Sequence, residues 1–252
     1  MKEGGSAPPA GSGGAKQEQS HPKRFYSEVT TKDEGDGVTL LLDGKPVRTP
    51  GKAPFVVPNK AVAEAIGDEW RGQGTRIDPA TMPLTRLANS VIDGVKGHEE
   101  AVVGDILNYA GSDLLCYRAE GPKGLAVLQT KHWEPVVAWA KRDLGNPMRL
   151  AEGVMHVAQA PASLHAIRER LAEFDSWSLA GLHVMTGLSG SALLALATAR
   201  GRLSPEEAWA AARVEEDWQI SQWGEDDEAT QRRESRWRDF AAAARMLELL
   251  RA

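Results

Sequence analysis

The chain has 252 residues, of which 26% are charged and 42% are hydrophobic, and its formal net charge is -5 at pH 7. The length allows one large domain or two small ones. Nucleic-acid-binding domains usually carry a basic excess, so the acidic balance disfavours that class. No uncharged apolar run reaches the roughly 18–20 residues that span a bilayer. We therefore predict no nucleic-acid partner and no membrane insertion.

The cysteine content narrows the choice further. Cys116 is the single cysteine, which excludes an internal disulfide framework and a multi-cysteine zinc site and suits a reducing compartment. We expect Cys116 to be a small buried residue. Tryptophan is unusually frequent, with 8 Trp against 4 Phe and 3 Tyr. Large amphipathic side chains of this kind are favoured at binding surfaces.

The first 22 residues are rich in Gly, Ala, Pro, Ser and charge, without apolar periodicity. Such a segment buries too little surface to offset its ordering entropy, so we predict a disordered tail over residues 1–22. It has neither the apolar core of a secretory signal nor the Arg-rich, acid-poor composition of a mitochondrial presequence. This pattern predicts a cytoplasmic protein of a bacterial cell.

Residues 23–58 predict a small antiparallel β domain. The segments RFYSEVTT, VTLLLDGKPVRTP and PFVVP are typical of short strands separated by turns. Asp43 and Gly44 fit the two positive-φ positions of a tight hairpin turn between Leu42 and Lys45.

The remaining residues, 59–252, predict a larger all-helical domain. Asn59 is a candidate N-cap, and Val62, Ile66 and Trp70 follow at helical spacing. We expect Trp70 to be a packing anchor between the two domains. A proline-rich loop, RIDPATMPL, should follow, and we expect its MPLT segment, which contains Pro83, to fix that loop against the core.

Eight more helices are predicted further along the chain, including shorter ones over HEEAVVGDILNYA, ASLHAIRERLAEF, SWSLAGLHVMTG and SALLALATARG. A second helix covers TRLANSVIDGV, and the long helix of residues 125–145 should kink or restart at Pro135. Ser204 and Pro205 begin a helix that should continue to Trp223. A last charged helix runs from about residue 228 to residue 250. The fold class is therefore α+β, with a small β module leading and a helical domain following.

Catalytic and metal-binding motifs are scarce in this sequence. The segment TGLSGSA resembles a nucleophile elbow, but the final Gly is replaced by Ser191 and no apolar strand precedes it. No two histidines lie at the i, i+4 spacing of a helical metal site, and we interpret His183 as a hydrogen-bonded core residue. We predict no catalytic residue, no metal, no cofactor and no small-molecule substrate.

The most informative segment is AARVEEDWQISQWG, residues 211–224. Val214 and Trp218 lie on one side of the predicted helix, and Glu215 and Gln219 begin an adjacent polar ridge. Trp223 is the last residue of the helix. One interpretation is an ordinary amphipathic helix with a solvent face. The other is a recognition surface, in which the two tryptophans flank an acidic residue that pairs with a basic residue of a partner.

Several short motifs, taken in order, resemble one known family. They are RFY at 24–26, LDGKPVRTP at 42–50, EW at 69–70, MPLT at 82–85, ID at 92–93, DLLCYR at 113–118, Gln129 with Trp133, the LLALA run, LSPEEAWAAA at 203–212 and VEEDWQISQWG at 214–224. The sequence is similar in this respect to the assembly chaperones of the ATP synthase catalytic sector from mitochondria and α-proteobacteria. The resemblance extends from residue 24 to about residue 250.

This resemblance implies a small β domain followed by a helical domain, and a function without chemistry. The protein would be an ATP-independent chaperone whose partner is the free α subunit, which it would protect from aggregation until assembly with β. The resemblance implies that Glu215 is the strongest contact residue, with Gln219 and Trp223 beside it. The family's eukaryotic members are expected in the mitochondrial matrix. A His-Asp stretch frequent after the Trp-Gly pair is replaced here by EDDEATQRRESRW, so its role cannot be transferred.

Two other hypotheses stay open at this point. An uncharacterised helical enzyme could use acids such as Asp93, Asp113 and Glu215, although their spacing defines no acid–base pair and a fold does not supply a function. A general protein-binding adaptor could act through the charged last helix.

Overall fold

The computed structural model describes residues 21–145, 147–153 and 155–251. The predicted tail therefore lies outside the described residues, except for its last two. The backbone carbonyl of Pro22 accepts a hydrogen bond from Ile77 N at 2.9 Å, and Lys23 forms an antiparallel bridge with Arg76. The chain thus enters the fold along the segment that follows the first helix.

A four-stranded antiparallel sheet forms the N-terminal module, as predicted. Its strands are β1 (Val29–Asp33), β2 (Val38–Leu42), β3 (Lys45–Pro46) and β4 (Val56–Val57). Strand β2 pairs with each of the other three.

The turn between β2 and β3 contains Asp43 and Gly44, with φ of 48° and 75°, so both positions require the left-handed region that the sequence indicates. The Asp43 carboxylate also accepts backbone hydrogen bonds from Ser27 and Glu28 at 3.0 and 2.8 Å. Hydrogen bonds to the charged form hold the pKa of Asp43 below its usual value. The turn residue therefore also fastens the segment that leads into β1.

Helices make up most of the remaining chain. They are α1 (Lys60–Arg71), α2 (Pro83–Ser90), α3 (Glu99–Gly111), α4 (Lys123–Leu144), α5 (Pro161–Leu171), α6 (Ser176–Ser189), α7 (Ala192–Ala199), α8 (Pro205–Ala212), α9 (Val214–Trp223) and α10 (Asp227–Leu249). A short parallel pair, β5 (Tyr117–Arg118) and β6 (Ala151–Glu152), lies among them. The sequence does not predict this pair, because two residues are too few for a periodic pattern.

One continuous apolar core joins the sheet to the helices. Helix α6 packs against α3, α7 and α10, and α1 packs between the sheet and α2. Asn59 caps α1 by accepting a hydrogen bond from Val62 N at 2.9 Å, and its amide donates to Leu249 O at 2.9 Å. The start of the first helix is thereby tied to the end of the last.

Trp70 lies where the β module meets α1. The Tyr26 hydroxyl donates to the carbonyl of Trp70 at 2.7 Å, and the two rings meet edge to face with centroids 5.5 Å apart. This geometry supports the expectation that Trp70 is a packing anchor between the module and the helices.

Pro83 is the first residue of α2, so the sequence prediction of a loop through MPLT is wrong there. Proline suits this position because it lacks the N–H that a helix start leaves unpaired. The Glu69 carboxylate accepts hydrogen bonds from Leu84 N, Thr85 N and Thr85 Oγ1 at 2.7, 2.8 and 2.6 Å. Desolvation raises the pKa of Glu69 despite these donors. The capping carboxylate comes from another helix, so Pro83 is the only local signal that marks this helix start.

Helix α4 continues through Pro135 without the predicted restart, and the alternative, a kink at this residue, stays a prediction. Two helix boundaries differ from the sequence predictions. A π-helical turn, Val91–Val95, follows α2 directly. The helix predicted from Pro205 to Trp223 divides at Arg213, whose φ of -106° and ψ of 6° separate α8 from α9.

Cys116 and His183, which the sequence predicts to be buried, have different environments. Cys116 is buried as predicted, and burial raises the pKa of its thiol to about 12. The prediction for His183 is wrong, because its side chain is 42% exposed and Nε2 lies 3.7 Å from the Asp105 carboxylate. Its helix is apolar, but His183 is on the side that faces solvent.

Candidate partner-binding site

Helix α9 carries all four predicted contact residues and lies at the protein surface. Among its ten residues, Val214 alone is buried. Trp223, at its C-terminal end, is 84% exposed, and Glu215 and Gln219 are also exposed. Trp223 is the most exposed large apolar side chain among the described residues, and tryptophan is enriched in the hot spots of protein interfaces.

The other tryptophan of α9, Trp218, is turned toward the protein. Its indole lies directly against Gly124 in the first turn of α4, where a Cβ atom would overlap the ring. Glycine is therefore required at position 124 for Trp218 to keep its place. The structure does not put the two tryptophans in equivalent positions, since Trp218 seats α9 on α4 and Trp223 is open to solvent.

The Glu215 carboxylate also faces α4. Its Oε1 accepts a hydrogen bond from Gln129 Nε2 at 2.7 Å. Gln129 is fully buried, with 0% of its surface exposed. This is the one side-chain hydrogen bond of Glu215 among the described residues, so oxygen lone pairs stay available to an outside donor.

The two acids that follow Glu215 are used differently. Glu216 forms an ion pair with Arg213, and Asp217 pairs with Arg233 of α10 at 2.6 Å. Both charges are therefore compensated within the chain. Glu215 differs because its hydrogen-bond partner is a neutral amide, and it forms no ion pair within the described part of the chain.

The segment that forms α9 and the start of α10 is rich in acidic residues, of which two are paired with Arg213 and Arg233. Residues 214–231 contain seven acidic residues and no basic one, namely Glu215, Glu216, Asp217, Glu225, Asp226, Asp227 and Glu228. A cavity of about 190 Å³ lies between the end of α9 and the start of α10, and Gln219, Ile220, Trp223 and Ala229 contribute to its walls. An apolar contact area surrounded by negative charge is complementary to an apolar partner surface with basic residues at its edge.

The remaining predicted residues lie elsewhere. Asp43, Gly44 and Trp70 belong to the β module and its junction with α1, and Pro83 begins α2. Sequence reasoning missed Gly124 and the role of Gln129 beneath α9. A signal for Gln129 exists, because it is an uncharged polar residue one helical turn before Trp133 on the face of α4 that is buried.

The acids that an enzyme would use are held by separate parts of the protein. Asp93 accepts hydrogen bonds from Thr49 Oγ1 at 2.6 Å and Gly51 N at 2.9 Å, in the β module. Asp113 is buried beneath α7, and Glu215 lies on α9. This arrangement does not bring the three carboxylates together on a common substrate.

In the part of the chain that the structure describes, no three His, Cys, Asp or Glu side chains are grouped as a metal site would require. Among its described helices, none combines the length and the hydrophobicity of a membrane span.

Solved structures of similar proteins decide the family. Atp12 from Paracoccus denitrificans is 39% identical, and the match covers 91% of this chain and 98% of that one with a TM-score of 0.85. The chain belongs to the ATP12 chaperone family. An Asp-to-Lys variant of Atp12p from P. denitrificans matches with a TM-score of 0.84 at 39% identity, over 91% and 98% of the two chains. A third structure, the protein Atu1473 of Agrobacterium tumefaciens, is 49% identical, with a TM-score of 0.87 over 91% of this chain and 86% of that one.

Sequence comparisons agree with this ATP12 assignment. The model of the ATP12 chaperone protein family matches residues 23–141, which include the β module and most of α4. The mitochondrial protein atp12 of Schizosaccharomyces pombe is 25% identical over 219 residues, which are 82% of this chain and 75% of that protein. The resemblance inferred from the sequence is confirmed, and so are the α+β fold and the assignment to ATP synthase assembly. Helix α9 lies beyond the residues that the family model matches.

Proposed function

We propose that this ATP12 chaperone binds the free α subunit of the F-type ATP synthase and prevents its aggregation until α assembles with β. The observation that carries this proposal is the exposed face of α9, where the Glu215 carboxylate, hydrogen-bonded to a neutral amide, lies on the same helix as the 84% exposed Trp223. We also infer that the protein acts in the bacterial cytoplasm, in keeping with its Paracoccus and Agrobacterium relatives.

A free subunit of a ring-shaped assembly exposes the apolar surface that its neighbour later covers. Such a surface favours aggregation and wrong self-association. A chaperone that covers it reversibly removes the hazard, and the true partner displaces the chaperone when it binds more tightly. This exchange needs no ATP hydrolysis, because the binding energy of the final interface drives release.

Each side chain of the proposed site has a distinct role. Glu215 pairs with a basic residue of the α subunit, Gln219 hydrogen-bonds beside it, and Trp223 supplies apolar contact area. Trp218 holds α9 in place and adds its exposed edge to the surface. The acidic stretch around these residues increases the association rate with a basic surface more than it increases the final affinity.

The proposal is tested with purified proteins in the absence of nucleotide. We expect the chaperone to co-elute with isolated α subunit in size-exclusion chromatography and to suppress its aggregation. Glu215→Lys should weaken the complex and leave the fold intact. The matched control is Glu206→Lys, because Glu206 is also an exposed acid in the first turn of a short helix, α8.

The outcomes separate the hypotheses. If wild-type protein neither co-elutes with α nor keeps it from aggregating, the proposed function is wrong. If Glu206→Lys weakens the complex as much as Glu215→Lys, general charge and not the α9 site is responsible. A general adaptor would instead bind other proteins as well as it binds α when these compete in the same pull-down.

A further inference from the structure

We propose that Gln129 is a positioning residue, which holds the Glu215 carboxylate ready for the partner's basic group. The hydrogen bond from Gln129 Nε2 to Glu215 Oε1 is 2.7 Å long and joins residues 86 positions apart in the chain. This inference rests on the proposed function, since it concerns how the candidate site is kept in shape.

The orientation of the Gln129 amide is fixed from its other end. The backbone N–H of Ala119 donates to Gln129 Oε1 at 2.8 Å. If the amide were flipped, its NH₂ group would face the N–H of Ala119, and two donors would oppose each other. The amide oxygen therefore faces Ala119, and the NH₂ group points toward Glu215. Gln129 is also fully buried, and water cannot replace either hydrogen bond at low cost.

The same face of α4 fixes the backbone near Glu215. One helical turn after Gln129, the buried Trp133 donates from Nε1 to the carbonyl of Ala211 at 2.7 Å, at the end of α8. Trp133 thus locates the chain just before α9, and Gln129 locates a side chain within α9. One contact therefore fixes the position of the backbone, and the other fixes the position of the carboxylate.

This arrangement has a consequence for affinity. An exposed glutamate samples several rotamers, and ordering it on binding costs conformational entropy. Because Gln129 already holds Oε1, that cost is smaller when a partner approaches, and other lone pairs of the carboxylate stay free for the incoming donor. Gln129 itself needs no contact with the partner.

The first test detects the contact in the protein alone. We expect the side-chain NH₂ signals of Gln129 in a ¹⁵N-correlated NMR spectrum to move when Glu215 is replaced in Glu215→Ala. The NH₂ signals of Gln159 serve as the control, because Gln159 is also buried and its amide hydrogen-bonds to the backbone of Arg149 instead. If the Gln129 signals stay unchanged, the inference is overturned whether or not α binds.

The second test measures how Gln129 acts on binding. Gln129→Met keeps the length of the side chain and removes its amide. We expect binding of α to weaken by a factor of about two to ten, as for ordering one additional flexible side chain on binding. In a Glu215→Ala background the same change should have no further effect, because its target is gone. Gln159→Met is the matched control for loss of a buried amide.

A purely structural role for Gln129 gives a different pattern. Gln129→Met would then weaken binding by the same factor with and without Glu215, and this additivity would overturn the inference. If wild-type protein does not bind α at all, the proposed function is wrong, and the NMR experiment alone decides whether Gln129 holds the Glu215 carboxylate.

Discussion

Helices α7 and α9 are similar in length and lie near each other along the chain, but their side chains differ completely in burial. Every residue of α7, Ala192–Ala199, is buried. In α9, Val214–Trp223, only the first residue is buried. The buried helix belongs to the core that carries the fold, whereas the exposed one adds little apolar burial. The proposed partner-binding role of α9 rests on this exposure, and above all on the open Trp223.

The acids associated with the two helices show the same contrast. Asp113 is fully buried and accepts hydrogen bonds from Leu193 N, at the start of α7, and from Leu115 N, both at 3.0 Å. Glu215 is exposed and accepts one from Gln129. The protein's own backbone uses both oxygens of the buried acid, whereas the exposed acid keeps its charge available. Burial, and not residue type, therefore separates the structural carboxylate from the candidate contact.

Among the substitutions of acidic residues, the largest effect on stability is expected at Asp113. Asp113→Ala leaves two buried backbone N–H groups without acceptors, so the free energy of unfolding should fall by about 2–4 kcal/mol. Urea denaturation followed by circular dichroism measures this. The control is Asp175→Ala, because Asp175 caps α6 from an exposed position, and its loss should cost about 1 kcal/mol. Equal losses would show that burial of the Asp113 contacts contributes nothing extra.

A pH series sharpens the same contrast. Burial raises the pKa of Asp113 from its ordinary 3.8 to about 6, so the folded protein holds this proton more tightly than the unfolded chain does. The free energy of unfolding should therefore fall as pH rises from about 4 to about 6, by at most about 3 kcal/mol from this group. The comparison is urea unfolding of wild-type and Asp113→Asn protein across this range. An identical slope in both would mean that other groups cause it.

Local signals in the sequence predict the parts of the structure that depend on neighbouring residues. The Asp43-Gly44 turn is defined by two positive-φ positions, and the Asn59 cap and the Ser204 capping box are formed within three or four residues. Family motifs extend this reach to the fold class. These features can be predicted without knowing which distant segments pack against them.

The missed features depend on contacts between distant segments. Glu69 caps α2 from α1, so the start at Pro83 has no capping signal of its own. Gly124 matters only because Trp218 packs on it, and Gln129 only because Glu215 lies above it. The sequence places the candidate site on the segment that forms α9, but the support of this helix by α4 is a tertiary property that periodicity cannot show.

An intermediate effect on stability is expected at Gly124, where α4 contacts Trp218 of α9. Gly124→Ala places a methyl group where the Trp218 indole lies, so the ring must move and α9 with it. We expect a loss of about 1–3 kcal/mol in unfolding free energy, the usual cost of overpacking, and a red-shifted tryptophan fluorescence. Gly104→Ala is the control, because space around Gly104 in α3 is open and alanine favours a helix. An unshifted spectrum for Gly124→Ala would show that Trp218 does not depend on this contact.

The smallest effect on stability is expected for Trp223→Ala. Its side chain is 84% exposed, so the free energy of unfolding should change by no more than about 0.5 kcal/mol, although binding of the α subunit should weaken. The reference is Trp209→Ala, since Trp209 is 8% exposed and packs on Phe240, and removing such a residue costs about 3–5 kcal/mol. Urea unfolding and α-subunit titration of both variants separate the two roles. If Trp223→Ala destabilised the protein without affecting binding, α9 would be a structural element like α7, and the contrast between the two helices would have no functional meaning.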